Sequence, residues 1–193
     1  MLKISELEQN KLNNDLIEAT RTDDLNAVQV LLTNGADVDS RNHIGTTPLI
    51  LAAYGDIRIA RALIAKDANV NAQNILGTTP LLAAAYEGQS EAVQLLLDNG
   101  ADANLQNKRG TTALTAAIYK NRFDIVEMLH KHGVDISFIR TFILEQADEE
   151  QGSNPSLKRL FNFFSQGYEE TNTLLPKTPI APIDPALRRW DNN

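Results

Sequence analysis

Apolar residues in this chain come in paired blocks separated by a polar break. The clearest pair starts at Leu81, passes an Ala pair and Tyr86, breaks, and resumes as Glu91-Ala92-Val93-Gln94-Leu95-Leu96-Leu97. A stop follows at Asn99-Gly100-Ala101-Asp102, where glycine accepts the left-handed conformation that ends a helix. The pattern predicts two short helices joined by a turn. Leu12 to Thr20 and Leu25 to Leu32, joined by Thr22-Asp23-Asp24, show it near the N-terminus. Beyond an acidic break from Asp148 to Pro155, Leu157, Leu160, Phe161 and Phe164 fall at i, i+3, i+4 and i+7, one stripe of a further helix.

A short phrase introduces three of these pairs. Gly45-Thr46-Thr47-Pro48-Leu49 returns as Gly77-Thr78-Thr79-Pro80-Leu81, and then as Gly110-Thr111-Thr112-Ala113-Leu114, at offsets of 32 and 33. Glycine supplies a backbone angle that a β-carbon would penalise. The second Thr can accept a hydrogen bond from a free N–H at a helix start. Proline suits the first helical position, where its missing N–H costs nothing. The phrase therefore reads as turn, cap and helix start. A fixed period of this length marks a stack of repeats rather than a single globular core.

Together, Thr-Pro-Leu, the Ala pair, the Val/Leu helix and the exit Gly35-Ala36-Asp37-Val38 resemble the ankyrin repeat family over roughly residues 12 to 136. The resemblance implies an all-α solenoid in which each repeat adds a helix–turn–helix and a β-hairpin finger, with degenerate terminal caps. It also implies non-enzymatic protein binding. The expected organisation is a lead-in helix in residues 1–11, then four repeats at 12–41, 42–73, 74–106 and 107–136. A degenerate capping repeat would follow at 137–167 and a proline-rich tail at 168–193. Repeat 2 is the least regular: it is one residue short between Tyr54 and Gly55, and Asp67 stands where repeats 1, 3 and 4 have Gly35, Gly100 and Gly133. The family's His after Leu is replaced throughout, by Ile17, Ile50, Leu82 and Thr115, which is expected to loosen the fingers.

Composition narrows the function classes. There is no Cys, so no disulfide framework or thiolate chemistry. The net charge of −7, with no basic face in view, argues against nucleic acid as a partner. The acidic N-terminus does not read as a targeting signal, and no apolar run suffices to span a bilayer, so a cytoplasmic protein is expected. His130 and His132 are two apart and do not share a helical face, so no metal site is expected. No cofactor motif or catalytic constellation stands out, and no enzyme activity is expected.

Two sets of residues are candidates for partner contact. Tyr54, Tyr86 and Tyr119 recur with the repeat, at the end of each first helix. They would form an aromatic ladder along a concave groove, or else pack half-buried against the next repeat. By the resemblance, the finger tips fall at Arg41, His43 and Ile44, then Gln73, Ile75 and Leu76, then Gln106, Lys108 and Arg109. Lys108, Arg109, Lys120 and Arg122 would face an acidic patch or simply solvent.

The tail is of another kind: Pro176, Pro179, Pro182 and Pro185 recur every third residue, the period of a polyproline II helix. It would be a stiff extended segment, a ligand for a second protein in an adaptor, or a strap docking on the tyrosines with Trp190 as anchor. An inhibitor or immunity-type protein blocking an enzyme is the further alternative.

Overall fold

The computed structural model describes residues 5–136. They form eight helices: α1 (Glu6–Arg21), α2 (Leu25–Thr33), α3 (Pro48–Ala52), α4 (Ile57–Ile64), α5 (Pro80–Glu87), α6 (Ser90–Asp98), α7 (Ala113–Tyr119) and α8 (Phe123–Lys131). Consecutive helices pack in pairs. The first helices α1, α3, α5 and α7 form one layer, each against the next, and α2, α4, α6 and α8 form the other. This is the all-α solenoid that the period implies. The expected cap at 137–167 and the proline-rich tail at 168–193 lie outside the described residues.

The helix starts follow the chemistry of the repeated phrase. Thr47 Oγ1 accepts from the Ile50 N–H at 3.4 Å, and Thr79 Oγ1 from the Leu82 N–H at 3.1 Å, each followed by proline in the first turn. Repeat 4 has Ala113 in place of proline and compensates with reciprocal capping. Thr112 Oγ1 accepts from the Thr115 N–H at 3.2 Å, while Thr115 Oγ1 accepts from the Thr112 N–H at 2.9 Å.

Small residues fill the first layer. Ala52, Ala53, Ala83, Ala84, Ala85, Ala116 and Ala117 are all buried, which lets neighbouring first helices approach closely. Larger side chains from the second layer, including Ile59, Leu63, Val93, Leu96, Ile125 and Leu129, complete the core.

The structure corrects two expectations. Residues 6–11 are not a separate lead-in but the first turns of α1, continuous with the first helix of repeat 1. No Gly or Pro interrupts them, and Ser5 and Glu8 form a capping box that starts the helix upstream of Leu12. The fingers, expected as β-hairpins, are tight turns, and no strand forms among the described residues. Each is closed by a cross-turn bond, Asn42 N–H to Thr46 C=O at 3.2 Å, Asn74 to Thr78 at 3.2 Å and Asn107 to Thr111 at 3.0 Å. Arms this short leave no room for a ladder.

Repeat 2 is irregular as expected. Its first helix has only five residues, against eight in α5, and the one-residue deletion falls just beyond its end. Asp67 sits at φ +62°, in the left-handed region that Gly35, Gly100 and Gly133 occupy in the other repeats. A β-carbon there is strained by about 1 kcal/mol or more. Asp67→Gly is therefore expected to stabilise the stack by about 1 kcal/mol, raising Tm by roughly 2–4 °C in a thermal melt followed by circular dichroism. An unchanged or lower Tm would contradict this account of the strain.

Candidate functional site

Each finger is organised by one asparagine. The side-chain oxygen of Asn42 accepts from the N–H groups of Ile44 at 3.1 Å and Thr46 at 2.9 Å. Asn74 does the same for Leu76 and Thr78, both at 2.9 Å, and Asn107 for Arg109 and Thr111, both at 2.9 Å. The carboxamide thus replaces backbone partners that so short a turn cannot supply. These asparagines were legible only as the first residues of three repeats, and their role went unread. Their constant place three residues before the phrase glycine was the signal. They also tie the fingers that the absent His was expected to leave loose.

Neighbouring fingers are bonded to one another. The Ile75 N–H donates to the Ile44 C=O at 3.0 Å, and the Lys108 N–H to the Leu76 C=O at 2.9 Å. Arg41 Nη1 donates to the Gly45 C=O of its own finger at 3.0 Å and to the Gln73 C=O of the next at 2.8 Å. Gln73 repeats the pattern one finger on, donating to the Gly77 and Gln106 carbonyls at 3.2 Å each. Arg41 and Gln73 were expected at partner-facing tips. Both are exposed, and their donors also hold the row of fingers in register. Gln106, the equivalent on the third finger, is exposed.

What the row presents outward is a set of tip side chains: His43, Ile44, Ile75, Leu76, Lys108 and Arg109, all exposed. Ile75 leaves 52% of its surface open, Leu76 42% and Ile44 37%. Backbone bonds between the fingers place these three aliphatic side chains on consecutive turns.

The tyrosines are not equivalent. Tyr54 is 38% exposed, whereas Tyr86 and Tyr119 are half-buried. Lys120 Nζ stands 4.1 Å from the centre of the Tyr86 ring, a cation–π contact. Burial pushes the Tyr54 phenol up to about 12, with the Glu87 carboxylate and Tyr86 adding to the effect. Since much of the ring stays open, we attribute that shift to crowding around the oxygen rather than to burial of the whole side chain. The short α3 leaves Tyr54 in the loop after the helix, and Gln89 of the next repeat donates to its C=O at 3.3 Å.

Basic residues of repeat 4 divide in the same way. Arg122 donates to the Glu87 C=O at 3.1 Å, and its guanidinium lies where a side chain on Gly88 would project. Lys120 covers Tyr86. These two cations serve the contact between repeats 3 and 4, while Lys108 and Arg109 stay on the exposed finger. Among the described residues no group of His, Cys, Asp or Glu is placed to hold a metal ion, and no helix is long and apolar enough to cross a membrane.

A family model described as ankyrin repeats (3 copies) matches residues 7–74 and 55–140. The chain belongs to the ankyrin repeat family. Two ankyrin repeat proteins of Rickettsia felis are similar to parts of it. One is 45% identical over 53 residues, which is 28% of this chain and 84% of that protein. The other is 50% identical over 46 residues, 24% of this chain and 70% of that protein. Their names specify no partner. Ankyrin repeats are in general protein-interaction modules and typically non-enzymatic.

Proposed function

We propose that this ankyrin stack binds a protein or peptide partner through its row of fingers and performs no chemistry of its own. One observation carries the proposal: Ile44, Ile75 and Leu76 are exposed together on turns whose backbones are bonded to each other. Apolar side chains on a floppy loop would be costly to order on binding. Here the loop is already ordered, so less conformational entropy remains to be lost. Tyr54, exposed beyond the far end of α3, and the half-buried Tyr86 and Tyr119 are the further candidate contacts. Tip residues His43, Lys108 and Arg109 flank the aliphatic set. Arg41 and Gln73 also position the row, and Gln106 is exposed on the third finger.

The test pairs Ile75→Ser with Leu76→Ser in one variant and uses Val30→Ser as control. Val30 is 58% exposed, on a helix of the other layer. The double variant is expected to keep its Tm and to lose about tenfold or more in affinity for partners captured by the wild type. The control is expected to bind as the wild type does. A folded double variant that retains every partner would refute the assignment.

A further inference from the structure

We infer that the finger row takes an extended acidic segment in which aliphatic residues precede or follow a run of carboxylates. The inference rests on the proposed binding role of the fingers and adds the chemistry of the partner. It starts from a contrast in charge. The chain carries 25 acidic against 18 basic residues, yet the finger segments 41–45, 73–77 and 106–110 contain no Asp or Glu at all. They contain Arg41, Lys108 and Arg109 as well as His43. Finger segments that carry basic but no acidic side chains favour an anionic partner over a cationic one.

The order along the row adds a direction. Bonded neighbours place His43-Ile44 beside Ile75-Leu76, and Ile75-Leu76 beside Lys108-Arg109. In the two columns the tips run His43, Ile75, Lys108 and Ile44, Leu76, Arg109. Aliphatic surface is concentrated on the first and second fingers, and cationic surface on the third. Among the described residues the Arg41 guanidinium bonds to carbonyl oxygens and forms no ion pair. Lys108 is exposed and forms no ion pair among the described residues. A strand-like segment crossing the fingers would set its aliphatic side chains over Ile44, Ile75 and Leu76. Its carboxylates would then reach the third finger. A basic segment would meet repulsion at that finger, and a wholly acidic one would leave the aliphatic tips uncovered.

A random dodecapeptide display library is the probe. It would be selected against the full chain and, separately, against a Lys108→Glu, Arg109→Glu variant, with circular dichroism confirming that both are folded. The wild type is expected to enrich peptides with an aliphatic pair on one side and Asp or Glu on the other. The charge-reversed variant is expected to enrich Lys or Arg at the acidic positions. It should also bind the wild-type peptides about tenfold more weakly, and added salt should narrow that gap. Peptides enriched on the wild type without acidic residues, or unaffected by the reversal, would overturn this inference while leaving peptide binding intact. Failure of the wild type to enrich any sequence would count against the binding role itself, and this inference would fall with it.

Discussion

Leu96→Ala is expected to lower the unfolding free energy by about 2–5 kcal/mol. Leu96 lies on α6 in repeat 3 and is only 1% exposed. Helix α6 is packed between α4 and α8, with α5 on its inner side. A cavity enclosed on so many sides cannot close by the shift of one neighbour, so the loss combines transfer of the removed methyl groups with the void left behind. The stack spreads the damage. Each repeat is stable largely through its neighbours, so weakening an internal repeat weakens both flanks. Urea titration should show the midpoint lowered by about 1–2 M. Val30→Ala, at an exposed position on α2, should change stability by less than about 0.5 kcal/mol. Equal effects from the two substitutions would mean that the interior of α6 is not packed as described.

Gly77→Ala is the second large effect, about 2–5 kcal/mol of destabilisation. Two terms contribute. Gly77 has φ +79°, where a β-carbon is strained by about 1–2 kcal/mol. That β-carbon would also lie 2.8 Å from Asn107 Cα and 3.0 Å from the Lys108 N, both backbone atoms of the next finger. Backbone cannot swing aside, so the fingers must part, at the Lys108-to-Leu76 bond first, for about 1–3 kcal/mol more. Gly110→Ala isolates the first term: its φ is +76°, but nothing lies within 4 Å of the added atom. It should cost only about 1–2 kcal/mol. Thermal melts of the two variants compare them directly. If Gly110→Ala proves as damaging as Gly77→Ala, the close approach of fingers 2 and 3 is wrong. Because the aliphatic tips lie on that approach, Gly77→Ala should also weaken partner binding beyond its effect on stability.

Much of the architecture was legible one residue at a time. Thr47, Thr79 and Thr112 cap helices because a hydroxyl next to a free N–H needs no distant partner. Asp67 takes a left-handed angle because a helix exit demands it, whichever residue is present. The irregularity beside Gly55 shows as a short α3, because the residue is missing from the turn into which the helix would continue. The candidate site was legible only in part. The tips at Ile44, Ile75 and Leu76 are exposed as the repeat pattern suggested. The bonds that Arg41 and Gln73 make to the next finger were not legible, since a polar side chain on a turn looks alike whether its target is solvent or a carbonyl 32 or 33 residues away. The helix start before Leu12 was not legible from the repeat pattern, because the Ser5 and Glu8 capping box rather than the apolar repeat sets where α1 begins.

Interactions confined to a turn or two of chain, such as the caps, the left-handed exits and the repeat period, follow from residue order, because both partners are close in the sequence and meet in any fold that forms the helix. The choice among like residues depends on packing between repeats. Three recurrent tyrosines become one more open ring and two half-buried ones, and four cations of repeat 4 become one internal brace and one exposed finger. Those distinctions rest on contacts between residues more than thirty positions apart, whose distances only the stacked chain establishes.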